Sequence, residues 1–366
     1  MINGDRIKQT REIRGWTQKQ LAERIGIKQT TISQIESGVL QPSDEITERI
    51  ILQTGFPPAF FKQPNTIDFP LGSLLYRKRS SVTLRARSQA RQYARVIFEI
   101  IKKIELNFKK IPLHIPRLEE DSVICAIQTR SVMGLSPDSP IDNLVHILEK
   151  SGVIILALPI TLDDLDAFSA WVGNDNRRPV IALSKNIEYG DRLRFNLAHE
   201  LGHLVMHQAM TGSISKIDTE ANQFAEEFLT PRETIEKEMT RTVSINTLIP
   251  LKQRWRVSIQ FLIRRAYNIG RINGNQYKYL MIRISQHGKR NEPVKIVPEK
   301  PRLLSQLAEM QYGSPIDYKA LATDMNLPAQ LIKETLEIHS MKAQLGETYT
   351  NGEVLSFDDA KKIRML

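Results

Sequence analysis

The stretch FNLAHELGHLVMH, Phe195 to His207, constrains the fold more than any other part of the chain. Read at helical period, Phe195, Leu197, Ala198, Leu201, Leu204 and Val205 surround the helix with apolar surface, so other elements have to pack on it. His199 and His203 are four residues apart and project from one face at the spacing of a metal-ligand pair. Glu200 sits beside the first histidine, within reach of a metal-bound water, and is the candidate general base that passes a proton to a leaving amine. Zinc lowers the pKa of such a water to about 7, which makes Zn2+ the expected cofactor. Gly202 leaves room for a close neighbour.

Tetrahedral zinc needs a third protein ligand. The following segment, ISKIDTEANQFAEEFLTP, has an apolar face of Ala221, Phe224, Ala225 and Phe228. Asp218 and Glu220 flank that face on opposite sides, and periodicity does not choose between them. Glu220 is preferred as the third ligand, its longer carboxylate lying directly before Ala-Asn. Asn222 is placed to hold a ligand histidine. Glu226 and Glu227 are expected to face solvent, and His207 to flank the site or touch substrate.

A second pattern lies near the N-terminus, TQKQLAERIGIKQTTISQIESGVLQPS from Thr17. Thr17 is a natural N-cap. Leu21, Ala22 and Ile25 face inward, Gly26 ends the helix in a tight turn, and Ile32 and Ile35 anchor a second helix. Gln29, Thr30, Thr31, Ser33 and Gln34 then point outward, able to donate and accept at base edges in a major groove. Gln18, at the first helix's N-terminus, is placed to meet a phosphate. The spacing resembles the Xre/Cro family of helix-turn-helix domains over about 60 residues, which implies binding to a double-stranded DNA operator, as a homodimer on paired half-sites.

Charge agrees with a polyanionic partner. The chain of 366 residues carries a net +10. From Tyr76 to Lys110 eleven basic residues face only Glu99 and Glu105, a local +9. Such a run is either a phosphate-facing surface or the solvated side of a helix, since Ala90, Ala94, Ile97, Ile101, Ile104 and Phe108 form an apolar stripe on the same segment. One cysteine, Cys125, excludes a disulfide framework and a cysteine-rich zinc knuckle within one chain. No apolar run is long enough for a bilayer, so no membrane partner is expected. The polar N-terminus is no secretory signal, and a cytoplasmic location is the simplest expectation.

The organisation follows from these marks. Pro64, Pro70 and Gly72 suggest a linker after the first domain. GVIILALPI (152–160) reads as a buried strand, and the segments at 167–173 and 179–184 flank Asn174 to Arg178 as a hairpin. Residues 251–285 read as two helices joined at Gly270, with Trp255, Phe261, Leu262, Ala266 and Tyr277 in the core. Pro293, Pro298 and Pro301 mark another linker, and no long-period repeat is evident. The expected fold is α+β and mostly helical. It comprises an all-α helix-turn-helix domain (1–62), a linker with a basic helix (63–118), a zincin-like domain with a small sheet (119–235), a helical extension (236–292) and a helical tail (293–366).

HELGHLVMH and EANQFAEEFLTP together resemble the ImmA/IrrE family of zinc metallopeptidases over roughly 120–235. The resemblance implies a gluzincin-type site in which the EAN helix supplies the third ligand. It also implies cleavage of an Xre-type repressor as the family's typical activity. FLTP stands where LLMP is common, a departure that leaves the metal site untouched. The expected function is a DNA-binding transcriptional regulator carrying a zinc peptidase, which cuts a repressor or itself in response to a signal. The alternatives are a non-catalytic regulator and an antitoxin-like protein, with the zincin domain as a sensor or partner-binding module.

Overall fold

The computed structural model describes residues 1–64, 67, 70, 83–107, 111–161, 166–173, 177–185, 187–207, 213–286 and 292–339. Gly72, Arg77, Lys78, Arg79, Phe108, Lys109, Lys110 and Asn174 to Asn176 lie outside them.

The N-terminal unit comprises α1 (Gly4–Ile13), α2 (Gln18–Ile25), α3 (Gln29–Glu36) and α4 (Asp44–Thr54). Thr17 and Gln20 form a capping box at the start of α2, and Gly26 ends it in the left-handed region at φ 70°, where a Cβ would be strained. Leu21, Ile25, Ile32 and Ile35 are buried between the helices. A buried ion pair locks α1 to α3: Arg11 Nε and Nη2 donate to Glu36 Oε1 and Oε2 at 2.6 and 2.9 Å.

A long helix, α5 (Leu84–Glu105), follows. Its stripe of Ala90, Ala94, Ile97, Ile101 and Ile104 is buried, and it packs on α1. Arg6 pairs with Glu99 at 3.0 Å, and Gln89 Nε2 donates to the Ile13 carbonyl at 2.8 Å. The basic side of α5 is not uniformly solvated. Arg95 is buried beside Glu99, and Lys103 donates to the Asp324 carbonyl.

The middle of the chain holds α6 (Ser122–Val132), α7 (Leu144–Lys150), β1 (Ile154–Ala157), β2 (Ala167–Val172), β3 (Arg178–Leu183), α8 (Gly190–Met206) and α9 (Ile214–Leu229). The strands form one sheet in the order β1-β3-β2. β1 runs parallel to β3 with Ile154 opposite Val180, and β2 runs antiparallel to β3 with Ala167 opposite Leu183. Alternation sends each strand's side chains to two cores. Ile154, Leu156, Phe168, Ala170, Val172, Val180 and Ala182 face the core shared with α5 and the N-terminal unit. Ile155, Ala167, Ile181 and Leu183 face the core built around α8 and α9.

Beyond α10 (Arg232–Glu238) come α11 (Ile245–Trp255), α12 (Ile259–Asn268) and α13 (Gly274–Gln286). The expected helix pair is α12 and α13, with Gly270 between them, and the end of α11 precedes it. Arg256 closes α11 in the left-handed region, and Ser258 caps α12 by accepting from Phe261 N–H. The proline-marked segment 292–302 is a strap rather than a loose linker. Glu292 pairs with buried Lys252 at 2.8 Å, Gly190 N–H donates to the Ile296 carbonyl at 2.8 Å, and Glu299 pairs with buried Arg194.

The strap delivers α14 (Leu303–Tyr312), α15 (Tyr318–Met325) and α16 (Ala329–Ile338). Against the expectation of no long-period repeat, this unit has the plan of α1–α3 three hundred positions on. Gln18 and Tyr318 open eight-residue helices, and Gln29 and Ala329 open the helices that follow. Few side chains are shared, so the repeat is not visible in the letters alone. His339 ties the unit to the sheet: Ala157 N–H donates to its Nε2 at 2.9 Å, and its Nδ1–H donates to the Thr335 carbonyl at 2.7 Å. Burial lowers its pKa to about 4, so it is neutral at physiological pH.

Candidate metal centre and DNA-reading helix

α8 passes under the sheet with its functional side chains inside the protein: His199 and His203 are buried, and Glu200 is 0% exposed. Gly202 makes the close approach of α9 possible, because a Cβ there would meet the Phe224 ring at 3.0 Å. α9 packs closely along α8, which brings the acidic helix over the histidines.

His199 Nε2 and His203 Nε2 lie 3.1 Å apart. Asp218 Oδ1 is 3.5 Å from His199 Nε2, and the three ligand atoms lie within 4.8 Å of one another. The outer nitrogens explain this orientation. His199 Nδ1–H donates to Asn222 Oδ1 at 3.0 Å. His203 Nδ1 meets His207 Nδ1 at 3.0 Å, and His207 Nε2–H donates to Glu220 Oε2 at 3.0 Å. Burial holds His207 below the ordinary imidazole range, with Glu220 pulling the other way. With His207 neutral, its Nδ1 accepts from His203, so both ligand rings turn an Nε2 lone pair inward. Two such lone pairs at 3.1 Å beside a carboxylate repel unless a cation lies between them, and the nitrogen–nitrogen–oxygen set suits Zn2+.

Asn222 therefore does what the sequence suggests. Asp218 is the acid beside the histidine pair, whereas Glu220 is directed to His207. Glu226 and Glu227 depart from expectation: both are buried. Asn268 Nδ2 donates to Glu226 at 2.7 Å, and Arg265 pairs with Glu227. Arg265 is thus an internal strut. Sequence reasoning also missed Ser169, whose Oγ–H donates to Glu200 Oε2 at 2.7 Å. It lies on β2, and only the sheet's placement over α8 reveals it. A cleft of about 820 Å³, lined among others by Phe195, Phe261, Arg192, Arg264, Lys252 and Glu292, shares only Phe195 with the surroundings of the histidines, and no histidine lines it. The Phe195 ring lies 6.0 Å from that of His199.

In the N-terminal unit, Gln29, Thr30, Ser33 and Gln34 are exposed along α3, and Thr31 is half-buried. Gln18 is half-buried and directs its Nε2 to Glu36 Oε2 at 2.9 Å, joining the Arg11 pair.

Residues 148–267 match the IrrE N-terminal-like domain, a peptidase family, and residues 7–61 match the helix-turn-helix family. The chain joins an Xre-type helix-turn-helix to an IrrE/ImmA-like domain. The helix-turn-helix match supports DNA binding, and the IrrE-like domain belongs to a family that is typically metal-dependent. The crystal structure of Bacillus thuringiensis PlcR in complex with the peptide PapR7 and DNA is 16% identical, covering 94% of this chain and 99% of that one. Its TM-score of 0.17 is too low to indicate a shared architecture. No curated protein matches the chain. Among the described residues no helix is long and apolar enough to cross a membrane.

Proposed function

We propose that this protein is a sequence-specific transcriptional regulator whose IrrE-like domain is a zinc peptidase acting on a repressor or on its own chain. The observation that carries the peptidase reading is the convergence of His199, His203 and Asp218 beside Glu200. In this reading Asp218, not Glu220, is the third ligand, and Glu220 acts through His207 to orient His203. When bound, the ion supplies Lewis-acid polarisation of a water and of the scissile carbonyl. The chain's own residues do the rest. Ser169 orients the Glu200 carboxylate. Glu200 takes the proton of the attacking water and delivers it to the departing amine.

On the DNA side, Gln29, Thr30, Thr31, Ser33 and Gln34 read base edges, and the protein binds its operator as a homodimer. Gln18 supports the α3 scaffold through Glu36.

Replacing Glu200 with Gln tests the enzymatic half. The variant should retain zinc and lose cleavage of candidate repressors, or of itself, read by mass spectrometry. Cleavage at the wild-type rate would remove Glu200 from the reaction. The complete burial of Glu200 favours one second reading, a zinc-holding sensor without turnover. In that case wild type and Glu200→Gln would both leave every candidate uncut while regulating alike.

A further inference from the structure

The α14–α16 unit repeats the construction of the DNA-reading unit in detail. Thr17 caps α2 by accepting from Gln20 N–H, and Asp317 caps α15 by accepting from Lys319 and Ala320 N–H. Gly26 and Asn326 end these helices with the same left-handed backbone, φ 70° and ψ 37° against φ 54° and ψ 43°. In both turns the next residue's N–H donates to the same relative carbonyl at 3.0 Å: Ile27 to Ala22, and Leu327 to Ala322. Leu21, Ala22, Ile25 and Ile32 are buried, as are Leu321, Ala322, Met325 and Ile332. The first helix of each unit packs on α5. The turn, the cap and the core agree, so the shared plan is a second helix-turn-helix.

Its surface is the opposite of the first. At the surface, residues 4–37 present five basic and three acidic side chains, net +2, with Arg6, Arg11 and Glu36 buried, whereas residues 304–337 present two and five, net −3. On α16 the positions corresponding to Gln34 and Ser37 are Glu334 and Glu337, both exposed. The cap of α15 is itself an acid, at the helix start where a phosphate would sit. A duplex repels such a face, and a basic protein surface of matching size attracts it.

We propose that the α14–α16 unit is a protein-docking module whose occupant is the α1–α3 unit of a second copy of this chain. Each copy offers one basic and one acidic unit, so two reciprocal contacts close a twofold dimer with no unmatched surface. Docking covers α3, and DNA competes with it. The unit is therefore a self-association device that holds the reader off DNA until an operator outbids the acidic face.

Light scattering on the full chain tests this. The wild type should be a dimer in low salt that dissociates in high salt. Glu334→Lys with Glu337→Lys should be monomeric in low salt, as should Lys19→Glu with Lys28→Glu. All four changes together should restore the dimer. These positions are exposed, and circular dichroism checks that each variant is folded. With a short duplex of arbitrary sequence in low salt, Glu334→Lys with Glu337→Lys should bind about tenfold more tightly than wild type. A wild-type monomer in low salt, a dimer indifferent to either pair, or failure of the combined variant to reassociate would overturn the proposal. So would weaker duplex binding on Gln330→Ala, because α16 would then be reading DNA.

Discussion

α3 and α8 both carry a row of polar residues, yet they place them oppositely. On α3, Gln29, Thr30, Ser33 and Gln34 stand exposed on a scaffold of buried Ile32 and Ile35. Water satisfies such groups, so they need no internal partner. On α8, His199, Glu200 and His203 are buried, and each depends on a specific group: Asn222, Ser169 and His207. An exposed polar row tolerates substitution without structural loss. A buried centre ties chemistry to the folding of several distant elements.

The largest expected effect is at the buried centre. His199→Ala should reduce bound zinc from about one ion per chain to near zero, measured by elemental analysis. Duplex binding through α3 should persist, and loss of both together would break the separation drawn here. Glu36→Ala comes next, because it strands Arg11 in the interior of the N-terminal unit. It should cost that unit about 3–5 kcal/mol in denaturant melts and abolish DNA binding while leaving zinc content unchanged.

The acid response of the C-terminal unit is the third test. His339 is buried and neutral, with its pKa lowered to about 4 from 6.5. As pH falls below 6.5 the unfolded chain takes up this proton and the folded chain does not. The stabilisation is therefore complete above that value and is lost progressively down to about 4, on the order of 3 kcal/mol in all. His339→Gln should flatten that part of the stability profile while leaving α3 intact. The smallest effect belongs to the surface: Gln34→Ala should weaken specific operator binding by about 1–3 kcal/mol with little change in non-specific binding or melting.

Legibility followed the same division. The N-terminal helix-turn-helix is written in local signals, a Thr17 cap, a Gly26 stop and isoleucines at helical spacing, and local signals survive in a linear text. His199, Glu200 and His203 are equally local. The third acid is not: Asp218 and Glu220 differ by two positions, and only the docking of α9 on α8 separates them. Glu226 and Glu227 read as solvated because Arg265 and Asn268, which hold them, lie about forty residues further on. The second helix-turn-helix stayed hidden because its turn uses Asn326 where the first has Gly26 and its outer residues differ. Backbone geometry is conserved there while the chemistry is reversed.

β2 deserves a last consequence. Ser169 touches the acid on α8, while its neighbours Phe168 and Ala170 press into the core that also seats the reader. One six-residue strand thus carries a side chain to the buried acid on one face and closes the core shared with the N-terminal helices on the other.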